Sequence, residues 1–241
     1  MLSEARSGAA AAALPDSRVL ITGGDGLSGE PLASAEIFGL DGSFTPAAPM
    51  SSVRSRHVAV ALADGRVLVA GGVVAGSSAT GLAEIYDPAS DSWQGAGALQ
   101  EARAGATATL LADGRVLIAG GEDSGTTSMS LEVFDPVSDS FVLAGVMSSP
   151  RKDHAAALLS DGRVFVIAGS DGNVPLASTE IWDPASGQIV AGPALSVPRQ
   201  GLSATTLLDG TVLIAGGSNG PGGPGDGGDF RRRERHHHPG G

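Results

Sequence analysis

The nine residues Asp113-Gly-Arg-Val-Leu-Ile-Ala-Gly-Gly121 constrain this chain more than any other stretch, because they recur. Close copies occupy Asp64–Gly72, Asp161–Ser170, Asp209–Gly217 and Asp16–Gly24. The glycines taken as opening the closing pair stand at 23, 71, 120, 169 and 216, at spacings of 48, 49, 49 and 47. A fixed period of about 50 residues predicts an array of equal supersecondary units rather than one irregular core. No unit of that size buries its apolar faces without neighbours, so the array forms a single domain.

Each unit reads as four short strands. In the third, Arg103–Leu111 is built of small and β-branched residues, and Asp113-Gly114 then turns the chain between two apolar runs, the strongest short-range hairpin signal. Val116–Ala119 is apolar on both alternating faces, which requires cover on both sides. Gly120-Gly121 ends it and a polar loop follows. Leu131–Phe134 reads as a third strand stopped by Asp135-Pro136, and Phe141–Ala144 as a fourth. The same order holds around Glu84-Ile-Tyr86-Asp-Pro88 and Glu180-Ile-Trp182-Asp-Pro184.

Four antiparallel strands per unit, covered on both faces and repeated, describe the blades of an all-β propeller. Side-chain size agrees. First strands are mostly Ala, Gly, Ser and Thr, whereas third and fourth strands carry Tyr, Trp and Phe, as wedges packed around an axis require. A parallel β-helix needs no such taper.

These residues resemble the kelch repeat: Asp-Gly-Arg-Val-Leu-Val-Ala-Gly-Gly72, then Ala83-Glu-Ile-Tyr-Asp-Pro88 with Asp91-Ser-Trp93. In particular they resemble the bacterial kelch proteins related to the central domain of galactose oxidase. The resemblance spans residues 6–217 and implies a kelch-type β-propeller, with blades at about 6–50, 51–100, 101–147 and 148–196 and a partial fifth at 197–217. Unit four departs from it with Ala168-Gly169-Ser170, and unit one lacks Asp-Pro. Residues 218–241, rich in Gly, Pro, Arg and His, are expected to be a disordered tail. Four blades and half of a fifth make an unclosed ring, so the expectation is a partial propeller or one completed by a partner, self-association included.

Net charge is −11, which opposes nucleic-acid binding, since that relies on Lys and Arg to neutralise phosphates. The start lacks the basic and apolar regions of a signal peptide, and no run is long and apolar enough for membrane insertion. The complete absence of cysteine fits a cytoplasmic or an exported protein equally.

Strand direction places the loop entering strand one beside the loop joining strands two and three. That side gathers Arg6, Arg54, Arg103, Arg151 and Arg199, with Arg56 and His57 in unit two, Lys152, Asp153 and His154 in unit four, and Gln200 in unit five. Together they suggest a basic mouth that binds a protein segment or a glycan. An arginine in every unit is more simply a repeat-building residue bonded to backbone carbonyls or a neighbouring blade. The unit-specific residues are therefore the better ligand-binding candidates. Glu36, Glu84, Glu132 and Glu180, spaced by 48 residues, read as structural, and Arg18, Arg66, Arg115 and Arg163 as cross-strand partners of the Asp-Pro aspartates.

His57 and His154 occupy equivalent positions two units apart and read as repeat-position histidines rather than metal ligands. No cofactor is expected. The resemblance implies a copper-radical centre only where a cysteine is cross-linked to a tyrosine, and this chain has no cysteine. The favoured class is a non-catalytic binding or scaffold module. The alternative is a carbohydrate-active enzyme of mutarotase or epimerase type, using His57, His154 or Asp153 as acid or base.

Overall fold

The computed structural model describes residues 2–76 and 78–220, and the backbone of 234–236. The described residues contain no helix. Blade 1 is a meander of β1 (Ala10–Ala13), β2 (Val19–Thr22), β3 (Ala35–Phe38) and β4 (Phe44–Ala47). Blade 2 repeats it with β5 (Val58–Ala61), β6 (Val67–Ala70), β7 (Leu82–Asp87) and β8 (Ser92–Ala98). Blade 3 contains β9 (Thr107–Leu110) and β10 (Val116–Ala119), a small loop hairpin of β11 (Glu122–Asp123) and β12 (Thr126–Thr127), then β13 (Ser130–Asp135) and β14 (Ser140–Val146). Blade 4 is β15 (Ala155–Leu158), β16 (Val164–Ile167), β17 (Thr179–Trp182) and β18 (Ile189–Ala191). All neighbouring strands within these blades are antiparallel.

Blade 5 holds β19 (Gln200–Thr206), β20 (Val212–Ser218) and β21 (Glu234–His236). The expected two-stranded half-blade is therefore corrected to three strands. Of the tail read as disordered, Glu234–His236 is instead strand paired to β20, and residues 221–233 and 237–241 lie outside the described residues.

The blades stack face to face around their first strands, and the taper read from the sequence is what fills the gaps. Between blades 1 and 2, Leu20, Ile37 and Met50 meet Val67, Val69 and Tyr86. Between blades 2 and 3, Leu68 and Ile85 meet Val116, Ile118, Phe134 and Phe141. Leu117 and Val133 meet Val166 and Trp182 across the next gap, and Phe165 and Ile181 meet Val212 and Ile214 across the last. Each blade thus offers residues one and three of its second strand to the blade before and residue two to the blade after. Outer aromatic pairs widen the wedge. The Tyr86 and Trp93 rings lie 5.0 Å apart, and the Trp93 indole N–H donates to Ala48 O of blade 1 at 2.7 Å.

At the ends of this stack the same positions lose their cover. Val19 and Ile21 of blade 1 are half-buried and Phe38 is 38% exposed, whereas Val67, Val69 and Tyr86 are completely buried. On blade 5 the half-buried Leu213 stands where Leu68 and Leu117 are buried.

Hydrogen bonding also realigns unit four. Ala168 N donates to Ser178 O as Gly120 N donates to Ser130 O, and Gly169 N donates to Arg199 O as Gly121 N donates to Arg151 O. Ala168, at φ 58°, therefore occupies the first glycine position, and Gly169 the second. With 168 in place of 169 the spacings become 48, 49, 48 and 48.

The turn arginines correct another expectation. Arg66 and Arg115 bond Asp64 and Asp113 of their own Asp-Gly turns at 2.8 Å, and Arg18 and Arg163 do likewise with Asp16 and Asp161. The Asp-Pro aspartates Asp87, Asp135 and Asp183 accept the amides of Ala89, Val137 and Ala185, and they act on Arg66, Arg115 and Arg163 through charge rather than as the nearest hydrogen-bond partner.

Candidate functional site at the mouth of the blades

Five equivalent tetrapeptides lead into the first strands: Arg6-Ser-Gly-Ala9, Arg54-Ser-Arg-His57, Arg103-Ala-Gly-Ala106, Arg151-Lys-Asp-His154 and Arg199-Gln-Gly-Leu202. Their four positions have four distinct fates.

The first position turns inward. Arg54 Nη1 donates to Gly71 O and Leu82 O, both at 3.0 Å, and Nη2 meets Glu84 at 2.6 Å. Arg103 repeats this with Gly120 O, Ser130 O and Glu132, and Arg151 with Ala168 O, Ser178 O and Glu180. Arg6 pairs with Glu36 in the same way, and Arg199 Nη1 donates to Gly216 O. The glutamates also accept amides of the entering loop, from Ser51, Gln100 and Ser148. Burial pulls Arg54 and Arg103 below the usual arginine pKa despite these carboxylates. Arg54, Arg103, Arg151 and Arg199 are therefore buried rather than lining the mouth, as repeat-building residues bonded to backbone carbonyls. The first three hold the third strand to the chain entering their own blade, and Arg199 bonds the second strand at Gly216 O.

The second position pairs with the residue after the double glycine: Ser7 with Asp25, Ser55 with Val73, Ala104 with Glu122, Lys152 with Ser170 and Gln200 with Ser218. This brings the two loops of each blade together on one side, as strand direction requires.

The third position is left-handed in every blade. Gly8, Arg56, Gly105, Asp153 and Gly201 have φ of 61°, 52°, 64°, 50° and 66°. It links blades through the backbone, with Arg56 N donating to Gly8 O, Gly105 N to Arg56 O, Asp153 N to Gly105 O and Gly201 N to Asp153 O, at 2.7–2.9 Å. Three blades use glycine, which adopts this conformation freely. The other two use charged residues, and these meet. Arg56 Nη2 lies 3.1 Å from Asp153 Oδ1, and its Nη1 lies 3.0 Å from Glu122 Oε1. Lys152 Nζ holds the other oxygen of Glu122. Burial opposes the Arg56 charge, but Asp153 and Glu122 outweigh it and raise the guanidinium pKa. Burial likewise opposes ionisation of Glu122, and Lys152 and Arg56 outweigh it and lower that pKa.

The fourth position packs between blades. His57 Nε2 bonds Thr22 Oγ1 at 2.8 Å and His154 Nε2 bonds Thr107 Oγ1 at 2.9 Å. Both rings are buried, and burial reinforced by the nearby Arg54 or Arg151 charge drives their pKa down to about 3. They are neutral spacers behind the mouth rather than groups lining it.

Of the candidate residues, the structure thus brings Arg56, Lys152 and Asp153 together at the mouth and keeps Gln200 half-buried at the same level of blade 5. Glu122, which the sequence reading did not single out, joins the two cations. The expected basic mouth is corrected to one whose cations, Arg56 and Lys152, are both engaged by carboxylates, Asp153 and Glu122. Among the described residues, no group of three or more His, Asp and Glu side chains is placed to hold a metal ion. On the opposite face, a cleft of about 350 Å³ between blades 1 and 2 is lined by Ala13, Leu14, Pro15, Leu62 and the Asp64-Gly65 turn. Asp64 is held there by Arg66.

Comparison with known proteins agrees with this architecture. The kelch motif family matches residues 151–188, which span the entry tetrapeptide to the outer turn of blade 4. The solved structure of YjhT superposes with a TM-score of 0.75 at 17% identity, covering 90% of this chain and 75% of that one. Comparison with the curated proteins returned no match. The chain thus carries a kelch motif in blade 4 and has the fold of a kelch-type β-propeller.

Proposed function

We propose that this chain is a non-catalytic binding module that takes a neutral, hydroxyl-rich ligand, a glycan, at the Arg56–Asp153–Glu122–Lys152 cluster. The observation that carries this reading is the compensation of every charge in that cluster while its side chains stay accessible, Arg56 being 35% and Asp153 36% exposed. An acidic protein segment needs uncommitted cations, and both cations here are bonded to carboxylates. A sugar hydroxyl both donates and accepts, so a fixed array of alternating donors and acceptors suits it without breaking an ion pair. The left-handed backbone at Arg56 and Asp153 supports a role, since non-glycine residues held in this region cluster at binding sites. The enzyme alternative draws little support. His57 and His154 are buried and neutral, and Asp153 is engaged by Arg56. No helix of the described residues is long and apolar enough to cross a membrane.

Calorimetric titration against neutral oligosaccharides and acidic peptides, with product analysis by mass spectrometry, tests the proposal. The expected result is oligosaccharide binding with weak salt dependence and no turnover, lost in Arg56→Ala and Asp153→Ala. Tight, salt-sensitive peptide binding or conversion of a sugar would overturn it.

A further inference from the structure

In blades 1–4 a glutamate of the third strand stands opposite residue three of the second: Glu36 opposite Ile21, Glu84 opposite Val69, Glu132 opposite Ile118, and Glu180 opposite Val166. In blade 5, Glu234 stands opposite Ile214, the same position of the second strand, in the same antiparallel sense. The match extends two residues further. The aromatic Phe38, Tyr86, Phe134 and Trp182 pair with the first residue of the second strand, and His236 pairs with Val212. Between them, where blades 1–4 place Ile37, Ile85, Val133 and Ile181 toward the following blade, blade 5 has Arg235 opposite Leu213. Leu213 itself is half-buried, whereas the equivalent Leu68 and Leu117 are buried. Three consecutive residues thus follow the pattern of acid, face residue and ring, at the one register that reproduces it. A one-residue slip would move every side chain to the other face.

We propose that β20 carries a strand-docking slot and that the chain's own segment Glu234–His236 fills it in cis as the native third strand of blade 5. The alternative would leave the Val212–Ser218 edge open to pairing with other chains. Because the chain has no cysteine, the register is testable by cross-linking. Leu213→Cys with Arg235→Cys is expected to form an intramolecular disulfide under mild oxidation. Leu208→Cys with Arg235→Cys, using a fully exposed turn residue of the same blade, is expected not to. Equal cross-linking of both pairs, or disulfides only between molecules, overturns the proposal. Independently, Glu234→Pro in the full chain removes a ladder donor and is expected to speed amide exchange across Val212–Ser218 at least 10-fold, with Val116–Ala119 unchanged. Unaltered exchange along β20 would also overturn it.

Discussion

Arg56 and Asp153 lie 3.1 Å apart across the mouth, on blades 2 and 4, and both hold a left-handed backbone conformation that the other three blades assign to glycine. The chain thus accepts strain at two of five equivalent positions and places one ion pair on top of it.

That combination separates binding from stability. A non-glycine residue in the left-handed region costs about 1–2 kcal/mol, while a pair this exposed contributes at most about 1 kcal/mol after solvent screening. Arg56→Gly and Asp153→Gly are therefore expected to leave stability within about 1 kcal/mol of the parent, or to raise it. Glycan affinity should fall at least 10-fold in each. Thermal unfolding and calorimetry on the same samples check this, and a parallel loss of both would show that the pair is scaffolding.

Gly105 lies beneath that pair. A Cβ there would stand 2.8 Å from Asp153 Oδ1 and 2.9 Å from Arg56 Nη2, whereas one at Gly201 would meet nothing within 4 Å. Their φ angles of 64° and 66° make the backbone strain of an alanine equal. Gly105→Ala and Gly201→Ala should thus both lose about 1–2 kcal/mol of stability, but only Gly105→Ala should displace the ion pair and weaken glycan binding. Equal binding by the two variants would remove the pair from the site.

Why the arrays of strands could be read from the sequence, and the mouth only partly, follows from particular residues. Asp113-Gly114 and the short unbroken apolar run Val116–Ala119 are local signals, and local signals repeated five times determine a blade. The direction of Arg54 is not local. It depends on carbonyls of Gly71 and Leu82, 17 and 28 residues away, and on Glu84, 30 away. Ala168 was hidden because a letter match favours aligning Gly169 with Gly120, and only hydrogen bonds show otherwise. Glu122 carried a signal of another kind. The residue after the double glycine varies between blades (Asp25, Val73, Glu122, Ser170, Ser218), and such variable positions are where a repeat fold diversifies.

The buried latch of Arg103 and Glu132, at 2.5 Å with both side chains at most 1% exposed, should behave as a unit. Arg103→Met leaves Glu132 and the Gly120 and Ser130 carbonyls short of a donor, and is expected to cost about 3–5 kcal/mol. Glu132→Gln should cost less, because the amide oxygen still accepts the amide of Gln100. A double-mutant cycle by urea denaturation should give a loss for Arg103→Met with Glu132→Met well below the sum of the single losses. Additivity would mean that the two side chains are not coupled.

Acid should weaken this fold before its carboxylates titrate, through His57 and His154. Unfolded, each takes a proton near pH 6.5; folded, each resists until about pH 3. Between these values the unfolded chain binds more protons than the folded one, so stability falls as pH falls and is unaffected above pH 6.5 by these two groups. Each histidine contributes a slope of about 1.4 kcal/mol per pH unit once well below pH 6.5. Blades 1, 3 and 5 carry Ala9, Ala106 and Leu202 at this position, so the double variant His57→Ala with His154→Ala should fold. Urea unfolding at pH 7.5, 6.0 and 5.0 should show a midpoint that drops steeply for the parent and changes little for the double variant. Parallel pH curves for the two proteins would place the acid-sensitive groups elsewhere.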